Sequence, residues 1–377
     1  MNALWKLFIG KRWLQKHGII IATQLRGEQK NYCGQNSAPI RITIIVRHHL
    51  INRAPNYESA LKKKAERAKR AVKAMKTILI TGGTGFIGRH LCQRLIDLGW
   101  HVIVISRNVA TAGSRLPAAV ELIGSLGGLS AETEIDAVIN LAGEPLAAGR
   151  WTEPHKQKFI DSRMGTTDAL YRFFAAREQK PKVVLSGSAI GFYGAGNGQD
   201  MPVDETGACV DNFSHQLCKR WEQSAAQFQS LGARVVYLRT GIVLGEEGAL
   251  AKMLPPFKLA LGGPIGDGQQ WMPWIHIDDM VALICHCLED DSLAGPVNAT
   301  APNPVRNTEF TKQLGAALGR PAIFPMPGFM VKILFGQMGE ELLLQGQQVI
   351  PRKVQDSGFK FQYPLLTNAL SDLLKSQ

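Results

Sequence analysis

The stretch Ile78-Leu79-Ile80-Thr81-Gly82-Gly83-Thr84-Gly85-Phe86-Ile87-Gly88 decides how this chain folds. Ile78–Thr81 is a short apolar run, of the kind that forms a strand buried on both faces of a parallel sheet. The glycines that follow keep the frame G-x-x-G-x-x-G at Gly82, Gly85 and Gly88, with Thr84, Phe86 and Ile87 between them. Each glycine has its own purpose. Gly82 permits the tight turn out of the strand, Gly85 lets backbone approach a pyrophosphate, and Gly88 lets the next helix pack closely on the sheet. From Phe86 to Leu98, the residues Phe86, Ile87, Leu91, Leu95 and Leu98 recur at helical spacing. The N–H groups and dipole at the start of such a helix favour a phosphate. A second apolar run, His101–Ser106, follows. A glycine motif alone carries little, but between a strand and a helix, with a strand to follow, it predicts a dinucleotide site.

The end of the second run selects the dinucleotide. An NAD site places Asp or Glu there to accept from the ribose 2′-hydroxyl. Here Ser106-Arg107 stands instead. A carboxylate would repel a 2′-phosphate, whereas arginine offers it a fork of donors, so NADP(H) is the expected cofactor. The bland alternative is a surface arginine that follows a strand. Three more strands are expected: Ala137–Leu141 leading into Leu141-Ala142-Gly143, Val183–Leu185 ending at Ser186-Gly187-Ser188, and Arg234–Leu238 ending at Arg239-Thr240-Gly241. The turn Leu141–Gly143 is expected to pass beneath the cofactor, because ligands lie at the carboxyl ends of such strands. Alternating strands and helices give an α/β fold, a Rossmann-type doubly wound parallel sheet over residues 75–300. A small C-terminal α+β region, residues 301–377, is expected on the substrate side.

The chain carries a formal charge of +12, which raises the question of a nucleic-acid or membrane partner. Residues 1–74 hold 16 of the 43 Lys and Arg but 3 of the 31 Asp and Glu, so residues 75–377 are close to neutral. No nucleic-acid or membrane partner is therefore expected for the globular part. The first segment has a weak apolar patch at Ile42–Val46 and a basic run, Lys62–Lys73. Its composition suits a transit peptide or a basic arm. The preferred reading is a disordered tail or a start placed too early, because Met75 runs directly into the first strand. The six cysteines form no C-x-x-C and no zinc spacing, so they are expected to be incidental thiols in a reducing cytosol, with no metal. No apolar run reaches about 18 residues, so no membrane-spanning helix is expected.

With these pieces in place the chain resembles the extended short-chain dehydrogenase/reductases. The matching pieces are T-G-G-T-G-F-I-G, N-L-A-G, S-G-S-A-I-G-F-Y-G, R-T-G-I-V-L-G and W-I-H-I-D-D. More narrowly it resembles the atypical epimerase-family branch that ends in a small domain of unknown function. That branch is marked by Arg150–Thr152, Asp161–Arg163, Leu261–Asp279 and Gly346–Lys353. The resemblance runs from about Met75 to the C-terminus. It implies cofactor contacts at Ser106, Arg107, Leu141, Ala142, near Lys158, at Arg163 and at Val243. An arginine on a helix beside the ligand edge, as at Arg163, is also expected to reach a phosphate, whereas Lys158 sits in a polar stretch and reads equally as a solvated side chain.

The resemblance also implies a catalytic Ser, Tyr and Lys, and here the chain departs from it. The phenol of that Tyr exchanges a proton while the nicotinamide exchanges hydride, and the Lys holds the ribose and lowers the phenol pKa. Ser188 suits the serine role, just past a strand end. On the helix expected over Asp211–Phe228, anchored at Trp221-Glu222, the Tyr position falls on Ser214 and the Lys position on Cys218. A register shifted by one gives His215 and Lys219, but turns the pair by about 100° round the helix. Both read better as a solvated face. Tyr193, on the loop after Ser188, is the substitute acid, with a structural tyrosine as the alternative.

His276, Asp278 and Asp279 resemble a metal or acid/base cluster, but capping by Asp278 of a helix beginning near Met280 accounts for them. Trp271 and Trp274 are expected to wall a substrate pocket, or else to be core. Beyond them a helix over Asn307–Leu318, a largely apolar helix over Phe329–Gln345, strand-like alternation within Pro351–Tyr363 and a last helix over Leu365–Leu374 are expected. The apolar helix offers a partner surface, for example to a second copy in a homodimer. Two functions remain open: an NADP(H)-dependent oxidoreductase or epimerase of a small carbonyl or hydroxyl compound, and a non-catalytic NADP(H)-binding sensor or regulator.

Overall fold

Each apolar run becomes a strand of one seven-stranded parallel sheet. The computed structural model describes residues 75–194 and 201–375, so the expectations for residues 1–74 lie outside the described residues. In chain order the sheet comprises β1 (Thr77–Thr81), β2 (His101–Ile105), β3 (Glu121–Ile123), β4 (Ala137–Asn140), β5 (Val183–Ala189), β6 (Arg234–Thr240) and a seventh strand, Gly295–Ala299. Their spatial order is β3-β2-β1-β4-β5-β6 and then the seventh. The order reverses beside β1, which is where a doubly wound sheet opens its ligand crevice.

The strands lack alternation because helices cover both faces. On one face α1 (Phe86–Asp97) buries Leu91, Cys92 and Leu95 against Ile78, Ile80 and Val104. The long buried helix Ile277–Glu289 packs beside it. On the other face Leu170 and Phe174, and farther along Ala225 and Phe228, meet Leu79, Val138 and Val184. Full burial of each Leu, Ile or Phe contributes about 1.5–3 kcal/mol, so the uniformly apolar strands commit to a covered sheet.

The C-terminal segment adds a separate apolar cluster built on Trp274, Phe310, Leu314 and Leu370. Helices form over Asn307–Leu318 and Leu366–Leu374, close to expectation. The apolar stretch behaves differently. It breaks at Gly336, whose φ of +58° suits glycine, into Gly328–Phe335 and a second helix, Gln337–Leu343. Phe329, Ile333 and Leu334 remain exposed on the first piece. The alternation within Pro351–Tyr363 forms no strand; a short helix, Arg352–Asp356, takes its place, and Phe359 and Phe361 pack against the main core. No helix among the described residues is long and apolar enough to cross a membrane.

Candidate functional site

The carboxyl ends of the central strands lie level, with Thr81 opposite both Ile105 and Asn140, and Asn140 opposite Ser186. The glycine loop leaves β1 at this edge. Gly82 has φ +71°, and a Cβ there would stand 2.6 Å from the carbonyl carbon of Leu141. Only glycine lets the loop meet the Leu141–Ala142 turn. A Cβ on Gly88 would stand 2.4 Å from the Gly82 carbonyl oxygen, so α1 packs directly on the loop. No side chain caps α1 at Gly85, so Phe86, Ile87 and Gly88 carry its leading N–H groups, while the Gly85 N–H donates to the Gly82 carbonyl. Arg107 is exposed just past β2, and no carboxylate stands at that strand end. This cradle and cation fit a dinucleotide with a 2′-phosphate. Bound there, it would rest on Gly82–Gly88 and the Leu141–Gly143 turn.

Arg163 is placed otherwise than expected. It lies on a π-helical turn, Asp161–Gly165, and is buried. Its Nη1 donates to the Phe159 carbonyl at 3.2 Å and its Nη2 to the Glu144 carbonyl at 3.1 Å. The guanidinium covers the Trp221 ring at 4.9 Å and lies under Gly143. Burial pulls it down to about 10, against the nearby Cys218 and Glu144. Arg163 therefore holds the turn in place instead of reaching out to a phosphate. Lys158 is exposed on the preceding helix, Glu153–Ile160, and is not among the residues lining the cavity described next.

A cavity of about 440 Å³ opens along this edge. Val243 and Phe86 line its nucleotide side, and Trp271, Gln270 and Glu341 line it from beyond the sheet. Neither proposed catalytic side chain belongs to it. β5 runs on to Ala189, so Ser188 is within the strand, opposite Arg239, and buried. Its hydroxyl donates to Glu222 Oε1 at 2.7 Å. Tyr193 is fully buried. Its hydroxyl donates to Asn298 Oδ1 at 2.7 Å and accepts from Arg239 Nη1 at 3.0 Å. Burial, opposed by Arg239, pushes the phenol up to about 12. The phenol is thus held inside the protein and does not line the cavity.

Both side chains belong to one interior network. Arg239 grips Glu222 with Nε at 2.9 Å from Oε1 and Nη2 at 3.0 Å from Oε2. Burial works against the cation, but the Glu222 carboxylate outweighs it and the guanidinium is held above its ordinary value. Glu205 accepts from the backbone of Asn298 and of Lys353, and so ties the C-terminal segment to the same centre.

The helix α2 (Phe213–Ala226) brings Ser214 and Cys218 to the cavity. Burial pushes the Cys218 thiol up to about 12, so it is no substitute for a cation or a thiolate base. Iodoacetamide at pH 8 is expected to label the exposed Cys209 and to spare Cys218 until the chain is unfolded, as peptide mass spectrometry will show. His215 binds the Phe192 carbonyl, and Lys219 is exposed.

Trp271 lines the cavity, but Trp274 is core and donates to the Asn303 carbonyl at 3.1 Å. The helix after it starts at Ile277, earlier than expected, and its cap is His276 instead of Asp278. His276 Nδ1 accepts from Asp278 N–H at 3.1 Å, while the ring stacks on Tyr363 at 3.9 Å. Asp372 also lies nearby, so the three could enclose an ion. An imidazole accepting at Nδ1 keeps its proton on Nε2, however, and has no lone pair left for one.

Apart from Trp271, expected as a pocket wall, the polar lining was not legible in the sequence. Asn212 Nδ2, Gln270 Oε1, Trp271 Nε1 and Gln347 Oε1 are buried without a hydrogen-bond partner, and all four residues line the cavity. Glu341, on the helix Gln337–Leu343, accepts from Ser214. Nothing in its stretch, Glu340-Glu341-Leu342-Leu343, singles it out; the region was marked as part of an apolar helix, Phe329–Gln345, and by the following motif Gly346–Lys353.

The chain is similar to known proteins over most of its length. The sequence model of the NAD dependent epimerase/dehydratase family matches residues 78–299, and that of a domain of unknown function, DUF1731, matches residues 326–373. Epimerase family protein YfhF of Bacillus subtilis is 38% identical over 300 residues, covering 79% of this chain and 97% of that protein. The human epimerase family protein SDR39U1 is 37% identical over 300 residues, covering 79% and 99%. A crystal structure of human SDR39U1 (isoform 2) with NADPH superposes with a TM-score of 0.71 at 34% identity, over 80% of this chain and 100% of that one. MoeE5 in complex with UDP-glucuronic acid and NAD, 20% identical with a TM-score of 0.63, shares the fold over 79% of this chain and 98% of its own. From the glycine cradle to the C-terminal segment, this chain belongs to the NAD dependent epimerase/dehydratase family.

Proposed function

We propose that the chain is an NADP(H)-dependent oxidoreductase or epimerase acting on a small, uncharged carbonyl or hydroxyl compound. The carrying observation is the cavity: it joins the nucleotide edge of the sheet to polar groups from the C-terminal segment. Arg107, the absence of a carboxylate after β2 and the NADPH held by the human relative support NADP(H) over NAD(H). Bound NADP(H) would supply or take up hydride. No Lys, Arg or His lines the cavity among the described residues. A diphosphate or a carboxylate on the substrate would therefore lack a counter-charge, whose absence in a desolvated site costs several kcal/mol. The buried partnerless amides and indole N–H instead favour a ligand bearing hydroxyl or carbonyl groups.

The second reading is a protein that binds NADP(H) without chemistry and passes redox state to a partner. Ser188, tied to Glu222 away from the cavity, and Cys218, standing where a cation is expected, favour it. Titration of the chain with NADPH and with NADH, followed by nicotinamide fluorescence, tests the cofactor. A panel of neutral ketones with NADPH, and of the matching secondary alcohols with NADP+, tests the chemistry. Tight NADPH binding with turnover of a panel member is the expected result. Equal or absent binding of the two dinucleotides overturns the assignment, and tight binding without turnover favours the sensor.

A further inference from the structure

Among the described residues lining the cavity, the ionisable side chains are Cys218 and Glu341. The thiol of Cys218 is enclosed and stays protonated, which leaves one carboxylate for proton transfer. Three donors fix it. Ser214 N–H and Ser214 Oγ–H both reach Glu341 Oε2, at 3.0 and 2.6 Å, and Gln337 Nε2 reaches Oε1 at 2.8 Å. A carboxylate has about four acceptor positions, so one remains for a substrate hydroxyl. Ser214 occupies the position at which the resemblance calls for a tyrosine, so the carboxylate stands at the end of the helix where a proton carrier is missing. A second cavity of about 420 Å³ shares Asn212, Glu341 and Gln345 with the first, so Glu341 sits between the substrate space and a separate polar recess.

We propose that Glu341, carried by the C-terminal domain and aimed by Ser214, is the proton-transfer residue of this site. The inference rests on the oxidoreductase reading above. In the oxidative direction the substrate O–H proton passes to Glu341, the carbinol C–H pair leaves as hydride to bound NADP+, and the C–O bond becomes C=O. In the reductive direction both return. The C-terminal domain then completes the chemistry as well as covering the site, and Ser214 is a positioning residue.

The test uses the full chain, its Glu341→Gln and Ser214→Ala variants, and the same ketone and alcohol panel. NADPH affinity, read by fluorescence, is expected to match the wild type in Glu341→Gln. Turnover is expected to fall about 100-fold or more, the range of a lost general acid or base, and one limb of the pH profile to vanish. In Ser214→Ala, where the carboxylate loses the hydroxyl contact that helps aim it, kcat is expected to fall with little change in KM. Carbon-13 carboxyl spectra of the NADP+-loaded chain give a readout independent of turnover. The resonance missing from Glu341→Gln is expected to follow the kinetic limb. Turnover within threefold of wild type in Glu341→Gln, or a resonance whose midpoint differs from the kinetic limb, overturns the proposal and leaves the oxidoreductase reading standing. A chain that binds NADPH and turns over no panel member overturns both.

Discussion

Replacing Arg107 by Asp is expected to weaken NADPH binding about 100-fold and to leave NADH binding unchanged or improved. Charge-assisted hydrogen bonds to a phosphate contribute about 1.5–3 kcal/mol, and each 1.4 kcal/mol is a factor of ten in affinity. The aspartate removes those bonds, adds repulsion of the 2′-phosphate, and restores an acceptor for the ribose hydroxyl of NADH. Arg107 is exposed and at the strand end, so the exchange should leave folding intact. Fluorescence titration at two salt concentrations checks both parts, because a screened surface contact weakens with salt. Equal affinity for NADPH in the variant and the wild type would show that the 2′-phosphate is held elsewhere.

Truncating either member of the buried pair Arg239–Glu222 is expected to lower stability by about 3–5 kcal/mol, since the remaining charge stays buried without its counter-ion. The side chains are 5% and 9% exposed, so solvent offers little relief. For a folded unit of this size the melting temperature should fall by about 10 °C. Tyr193→Phe is the milder companion. It leaves Asn298 Oδ1 and Arg239 Nη1 short of a partner and should cost about 1–3 kcal/mol, without changing NADPH affinity or turnover. Thermal denaturation followed by circular dichroism, alongside the fluorescence titration, separates the effects. A Tyr193→Phe chain that melts like the wild type but has lost turnover would return the phenol to the chemistry and refute the structural role.

The two predictions differ in how far they were visible beforehand. Arg107 was legible because its meaning is local: a strand, a glycine loop and the next strand end lie within about thirty residues and share one physical purpose. Ser188 and Tyr193 were expected at the site, and the structure buries both side chains, because a strand's length and a side chain's direction depend on what it pairs with. β5 runs four residues past the apolar core of its run because Gly187 and Ser188 pair with β6, which turns the serine inward to Glu222. His276 likewise became a cap because Tyr363 and Asp372, about ninety residues later, pack around it.

The amino-acid sequence by itself determined the parallel sheet, the glycine cradle, the character of the cofactor edge and the lack of a tyrosine–lysine pair on α2. Apolar periodicity and glycine spacing act over a few residues, and any compact chain must honour them. Only the tertiary structure decided which polar side chains face the cavity and which are locked inside. It also decided that a carboxylate from the C-terminal segment meets Ser214, 127 positions away. Such meetings arise from how separate cores pack, and no local pattern in the chain records the register of that packing.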